Sequence, residues 1–175
     1  MDELTVLALR AKGGSRPALE RFVAETRPDV LKLVRYLGRP AEPDDLVQET
    51  YERALRTLHL YRGDGPARAW LFSIARRVCI DAGRRSGRRR RLADRITAHT
   101  APDVHIDGAW IEVEEFLATL DTDRREAFVL TQFLGLSYEE AAETIGCPIG
   151  TVRSRVARAR MQLLDNPTLL DRRHA

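Results

Sequence analysis

Ten arginines gather in two short stretches of this chain. Arg84, Arg85, Arg88, Arg89, Arg90 and Arg91 fall within eight residues, and Arg153, Arg155, Arg158 and Arg160 lie in 150–164, a stretch without a single acid. The guanidinium fork suits two kinds of acceptor. It holds phosphate oxygens, which makes affinity strongly salt dependent, and it pairs bidentately with O6 and N7 of guanine in the major groove. Residues 42–52 are the opposite, with Glu42, Asp44, Asp45, Glu49 and Glu52 and no base. The net charge of +3 says little, and so does the pI of about 9.2, because position along the chain matters more than the sum. Charge segregated in this way implies more than one kind of partner surface.

The residues of enzyme chemistry do not assemble. His59, His99, His105 and His174 are scattered, with no carboxylate or cysteine at ligand spacing. Gly63-Asp64-Gly65 lacks the rest of a phosphate loop, and Gly13-Gly14 is isolated. Cys79 lies on an apolar helical stripe and reads as a packed thiol. Cys147 falls in a turn, where a redox role is the alternative to a plain exposed thiol. The two cysteines form neither a disulfide framework nor a metal spacing. The expectation is a protein that is not an enzyme and has no metal, no cofactor and no small-molecule substrate. Its N-terminus (Asp2, Glu3) lacks an apolar signal core and no run is long enough to span a bilayer, so a cytoplasmic protein is expected.

The elements that must carry these charges read as helices throughout. With 43% hydrophobic and 31% charged residues, the 175-residue chain should fold. Leu19, Phe22 and Val23 form a short stripe that Pro28 should close. Val30, Leu33, Val34 and Leu37 repeat at i, i+3, i+4, i+7, and Gly38 and Pro40 should end that helix. Val47, Tyr51, Ala54, Leu55 and Leu58 make another stripe. Residues 61–66 (Tyr61-Arg62-Gly63-Asp64-Gly65-Pro66) are a loop by glycine and proline content. Leu71, Ile74, Ala75, Val78 and Ala82 follow and run into the arginine cluster. The pattern lapses over 93–110 and resumes with Val113, Phe116, Leu117 and Leu120, then Ala127, Leu130, Thr131 and Leu134. The fold class expected is all-α: two small helical domains, 1–92 and 111–165, joined by a flexible linker at 93–110 and followed by a tail at 166–175.

The second domain should contain a helix-turn-helix at about 137–164. Ser137 with Glu140 three residues later is a capping box. Tyr138, Ala141, Ala142 and Ile145 share one face, and the two alanines permit close approach of a neighbouring helix. Gly146 is the expected stop, Cys147-Pro148-Ile149 the turn, and Pro148 a good helix start. Val152, Val156, Ala159 and Leu163 give the next helix its buried face, leaving Thr151, Arg153, Ser154, Arg155 and Arg158 on the other side to enter the major groove. The alternative is a basic, solvated helix on an ordinary bundle.

The residues that carry these features also resemble a known family. Leu136 to Ala142 followed by Cys147 to Arg155 resembles the C-terminal promoter-reading domain of bacterial sigma factors. Asp44-Asp45-Leu46-Val47-Gln48-Glu49-Thr50-Tyr51 resembles their polymerase-binding helix. Ala69 to Arg76, with Asp81 and the Arg84-Arg85 pair, resembles the helix that reads the upstream edge of the melted promoter. The order is the family's, and the short chain fits the extracytoplasmic-function (ECF) group of the sigma-70 family. The first dozen residues, the linker and the tail after Leu164 lie outside the resemblance.

The resemblance implies an alternative sigma factor that brings core RNA polymerase to promoter DNA. Asp44, Asp45, Leu46, Val47, Gln48 and Glu49 would meet the polymerase, with Asp45, Gln48 and Glu49 making polar contacts to the β′ clamp helices and Leu46 and Val47 supporting the helix; the β subunit is a further contact. Tyr61, Arg62, Gly63 and Asp64 would belong to the loop that captures a flipped base of the −10 element. Arg76, Arg77, Arg84, Arg85 and Arg88 would follow the DNA backbone there. Many family members carry asparagine where this chain has Arg77, which bears on base preference. Trp70 reads as core rather than as a stacking platform. Thr151, Arg153, Ser154, Arg155 and Arg158 would read the −35 element. The acidic linker (Asp94, Asp103, Asp107) would pass near the RNA exit path, and an anti-sigma factor is a candidate partner. The rival reading is a free-standing helix-turn-helix regulator that binds duplex operator unaided.

Overall fold

In the computed structural model, residues 1–38, 43–93 and 108–165 are described, except for the side chains of 86–93, 108–112 and 114. These residues are all-α, without a strand among them. The chain divides into two units, Met1–Ala101 and Pro102–Ala175.

The first unit packs α1 (Glu3–Lys12), α3 (Pro43–Thr57) and α4 (Ala67–Ala93) around α2 (Arg16–Gly38). Pro28 does not end the helix it was expected to close: α2 is one helix of 23 residues with Pro28 inside it. The reason is a buried stripe that never breaks. Ala18, Phe22, Thr26, Val30 and Val34 are buried at four-residue intervals, with Thr26 filling the place between the two apolar runs. Its hydroxyl is satisfied by the Phe22 carbonyl and by the Tyr51 hydroxyl, each at 2.7 Å. Pro28 itself is exposed, as is Ala24, whose carbonyl loses its N–H donor at a position open to solvent. Burial on both sides of the proline outweighs the roughly 3 kcal/mol that an interior proline costs.

Pro43 opens α3 at a position where its missing N–H is not needed, and Asp44 and Asp45 sit in the first turn, where the helix dipole favours acids. Leu46, Val47, Thr50 and Ala54 face the core; Leu55, expected in that stripe, is exposed. In α4 the packed side chains are Leu71, Phe72, Ala75, Val78 and Cys79, which bears out the packed thiol. Ile74 and Ala82, expected on this stripe, are only partly buried. A short 3-10 turn at Leu58–Leu60 joins α3 to the 61–66 loop.

The second unit begins with α5 (Gly108–Thr119), so helix occupies the last three positions of the expected linker, and α4 occupies its first at Ala93. The remainder, 94–107, lies outside the described residues, as does the tail 166–175. Asp121 caps α6 (Thr122–Phe128), and Arg125 closes the end of α5 by donating to the Leu117 and Leu120 carbonyls at 2.6 and 2.9 Å. A π-helical turn, Val129–Phe133, follows without a break. The helix-turn-helix is α7 (Tyr138–Ile145) and α8 (Ile149–Leu164). Ser137 and Glu140 make the reciprocal capping box, and Gly146 ends α7 at φ +79°. Val152, Val156 and Ala159 press α8 onto α6 and α7. Replacing Ser137 with alanine removes one of the two capping bonds. Urea unfolding of the full chain, followed by far-UV circular dichroism, should show the second unit destabilised by about 1 kcal/mol. An unchanged midpoint would show that the box contributes nothing.

Candidate nucleic-acid and polymerase interfaces

On α8 the expected DNA-reading residues separate into two groups. Arg153, Ser154 and Arg158 are exposed, on the side opposite Val152 and Val156. Neither Arg153 nor Arg158 has a hydrogen-bond or ion-pair partner among the described residues. Thr151 is half-buried at the start of the helix. Arg155 is committed internally: its side chain is 21% exposed and pairs with Asp123, and it reaches the Cys147 sulfur at 3.8 Å. That contact leaves Cys147 only partly accessible in the turn. Arg160 donates to Gln132 at 2.6 Å. The face left open to a partner thus carries free cations and no acid.

The acidic motif also divides. Asp44 is exposed and paired with Arg27 of α2 at 2.7 Å. Asp45 and Gln48 are exposed, with Gln48 bonded along the helix to Glu52. Leu46 and Val47 are buried beneath them. Glu49 instead lies within a network. It accepts from Arg53 at 2.6 Å and from Arg85 of α4 at 3.0 Å, while Arg53 also bonds Asp81 of α4 at 2.8 Å. The Arg53 hydrogen bond holds the Asp81 carboxyl below its ordinary range, and bonding to Asp81 and Glu49 pushes the Arg53 guanidinium up. A lowered carboxylate pKa stabilises the folded state above the ordinary aspartate value, and that contribution is lost progressively as pH falls from the ordinary value through the lowered one.

The 61–66 loop presents Arg62 and Asp64 outward. Tyr61 is not on that surface. It is buried, its ring centroid lies 5.0 Å from that of Trp70, and its hydroxyl donates to the Gly65 carbonyl at 2.5 Å. Burial raises its pKa. Trp70, half-buried, thus helps support the loop from below. Gly63 has φ +82°, and a Cβ there would lie 3.2 Å from the Leu9 side chain. Its backbone angle therefore favours glycine, and a Cβ there would also require the Leu9 side chain to shift by a few tenths of an ångström. Beyond the loop, Arg77 and Arg84 are exposed; Arg85 shares itself with Glu49; Arg76 is half-buried and engaged. The Arg88 side chain lies outside the described residues, as do those of Arg89, Arg90 and Arg91.

One unit thus carries an acid-free basic helix within a helix-turn-helix, and the other an arginine-bearing helix beside an acidic one. Residues 22–89 match the family Sigma-70 region 2 and residues 110–163 match Sigma-70, region 4. The ECF RNA polymerase sigma factor SigC of Mycobacterium tuberculosis is 44% identical over 171 residues, covering 93% of this chain and 90% of that protein. The ECF RNA polymerase sigma-E factor of Escherichia coli is 33% identical over 183 residues, covering 94% and 95%. A chain of the structure of CnrH in complex with the cytosolic domain of CnrY superposes with a TM-score of 0.74 at 32% identity, covering 97% of this chain and 98% of that one. One from the co-crystal structure of the sigma factor RpoE with the anti-sigma factor NepR from Bartonella quintana gives 0.72 at 30%, covering 87% and 96%. The chain belongs to the sigma-70 family, in its ECF group of RNA polymerase sigma factors. It is a transcription initiation factor and not an enzyme. No helix among the described residues is long and apolar enough to cross a membrane.

Proposed function

We propose that this cytoplasmic factor divides its work between two domains, 1–92 and 111–165, with 93–110 as the connecting linker and 166–175 as a tail. The exposed edge of α3 (Asp44, Asp45 and Gln48) binds the clamp helices of core polymerase, stiffened by buried Leu46 and Val47. Arg62 and Asp64 read the flipped base of the −10 element on a loop shaped by Tyr61 and Gly63. Arg76, Arg77, Arg84, Arg85 and Arg88 follow the strand beyond it. Arg153, Ser154 and Arg158 contact the −35 duplex, with Thr151 at the helix start and Arg155 acting by orienting the turn. The observation that carries this reading is the free, acid-free face of α8 on a correctly capped helix-turn-helix. The RpoE complex with NepR supports an anti-sigma partner for this chain as well.

The test is transcription reconstituted from core polymerase lacking any sigma factor. Adding the chain should give initiation from discrete start sites on a genomic template pool, whereas the chain alone should bind those promoters weakly. Specific duplex binding without polymerase, and no promoter-dependent transcripts with it, would return the protein to the class of free-standing regulators.

A further inference from the structure

Helix α1 falls outside the residues matched to region 2, which begin at 22, yet it touches the 61–66 loop and the start of α4 at three places. Lys12 donates from Nζ to the Tyr61 carbonyl at 2.8 Å. Leu9 lies under Gly63. Thr5, 2% exposed, accepts at Oγ1 from the Ala67 N–H at 2.9 Å, one of the free donors that open α4. The Thr5 hydroxyl in turn donates a hydrogen bond to Asp2 Oδ2 at 2.6 Å, and Asp2 also caps α1 by accepting from the Thr5 N–H at 3.0 Å. Residues 5, 9 and 12 stand at i, i+4 and i+7, a single helical stripe, and their three contacts fall at the beginning, middle and end of the loop. Within the loop, the Tyr61–Gly65 bond and the Tyr61–Trp70 ring contact hold its inner side, and the α1 contacts add anchors from a separate element.

We infer that Thr5, Leu9 and Lys12 are positioning residues that set the base preference of this loop, so that α1 is part of the promoter-reading apparatus. The inference rests on the assignment of 61–66 to the −10 element. Base discrimination depends on donors and acceptors held to within a fraction of an ångström. Thr5 fixes where α4 starts, Lys12 fixes the carbonyl that precedes Arg62, and Leu9 fixes the height of Gly63 between Arg62 and Asp64. None of the three needs to touch DNA.

The experiment uses holoenzyme assembled from core polymerase and the full chain, on a promoter selected by the wild-type holoenzyme from a randomised pool. Transcription is compared on templates carrying each of the four bases at each −10 position. Thr5→Val, which keeps shape and removes the relay, and Lys12→Met, at an exposed position where folding is not at risk, should each lower discrimination at one position by about tenfold, the size of one good base contact. Thr5→Ser should restore it, and the response to −35 substitutions should stay as in the wild type. The combined variant Arg62→Ala and Asp64→Ala tests the underlying assignment. If it leaves base preference unchanged, the loop is not the reader and the inference falls with it. If it alters preference while Thr5→Val and Lys12→Met keep wild-type discrimination, the loop assignment stands and the role of α1 is overturned.

Discussion

Replacing Arg153 and Arg158 together with alanine is expected to lower promoter-dependent initiation by about thirtyfold or more, at two contacts of roughly 1–3 kcal/mol each. These are the arginines on the open face of α8 without a partner among the described residues. The way the loss is distributed reports what each touches. An arginine on a guanine edge relaxes preference at one −35 position. An arginine on phosphate weakens binding evenly across sequences and reduces the salt slope by about one. Arg155→Ala is the informative contrast. Its ion pair with Asp123, whose side chain is 64% exposed, is worth at most about 1 kcal/mol. Its effect should appear as a small loss of stability in the helix-turn-helix, with −35 preference intact. Transcription on templates varied through the −35 element, at two salt concentrations, separates these outcomes. A double variant that initiates as well as wild type would remove α8 from promoter reading.

Particular residues show which features the sequence could reveal. The capping box, the Gly146 stop and the Val152–Val156–Ala159 face were all readable, because each depends on neighbours within one or two helical turns. The Leu19 and Val30 stripes were readable too, but their union was not. The break was expected at Pro28, and what joins the stripes is buried Thr26, whose hydroxyl finds partners at Phe22 and Tyr51 that lie outside any local pattern. Burial then pushes Tyr51 up to about 12, so that hydroxyl stays neutral and the contact holds across the working pH range. The π turn at Val129–Phe133 follows neither the period of 3.6 nor that of 2, so periodicity cannot find it. The site residues divide on the same principle. Arg153 and Arg158 could be placed from helix phase alone. The internal partners of Arg155 and Glu49 could not, because Asp123 is 32 residues from Arg155 and Arg85 is 36 residues from Glu49. Tyr61 was read as a loop residue from glycine and proline content, which says where a loop lies but not which of its side chains turns inward.

The division of the acidic motif leads to the second large effect. Asp45→Lys should weaken binding to core polymerase by about thirtyfold or more, since a charge reversal replaces an attraction with a repulsion of several kcal/mol at a desolvated contact. The loss should shrink at high salt only if the contact stays exposed in the complex. Glu49→Gln should behave differently. Glu49 already satisfies Arg53 and Arg85, joining α3 to α4, and these are half-exposed pairs worth about 1 kcal/mol together. Its loss should lower the unfolding midpoint of the first unit and free Arg85, while core affinity stays within a few-fold of wild type. Fluorescence anisotropy of labelled chain titrated with core, set beside urea unfolding of the same variants, measures both. If Glu49→Gln loses core binding as completely as Asp45→Lys with its midpoint unmoved, Glu49 must leave Arg53 and Arg85 when polymerase docks. The acidic motif would then act as one surface, and Arg85 would be released toward DNA by the same event that binds the enzyme.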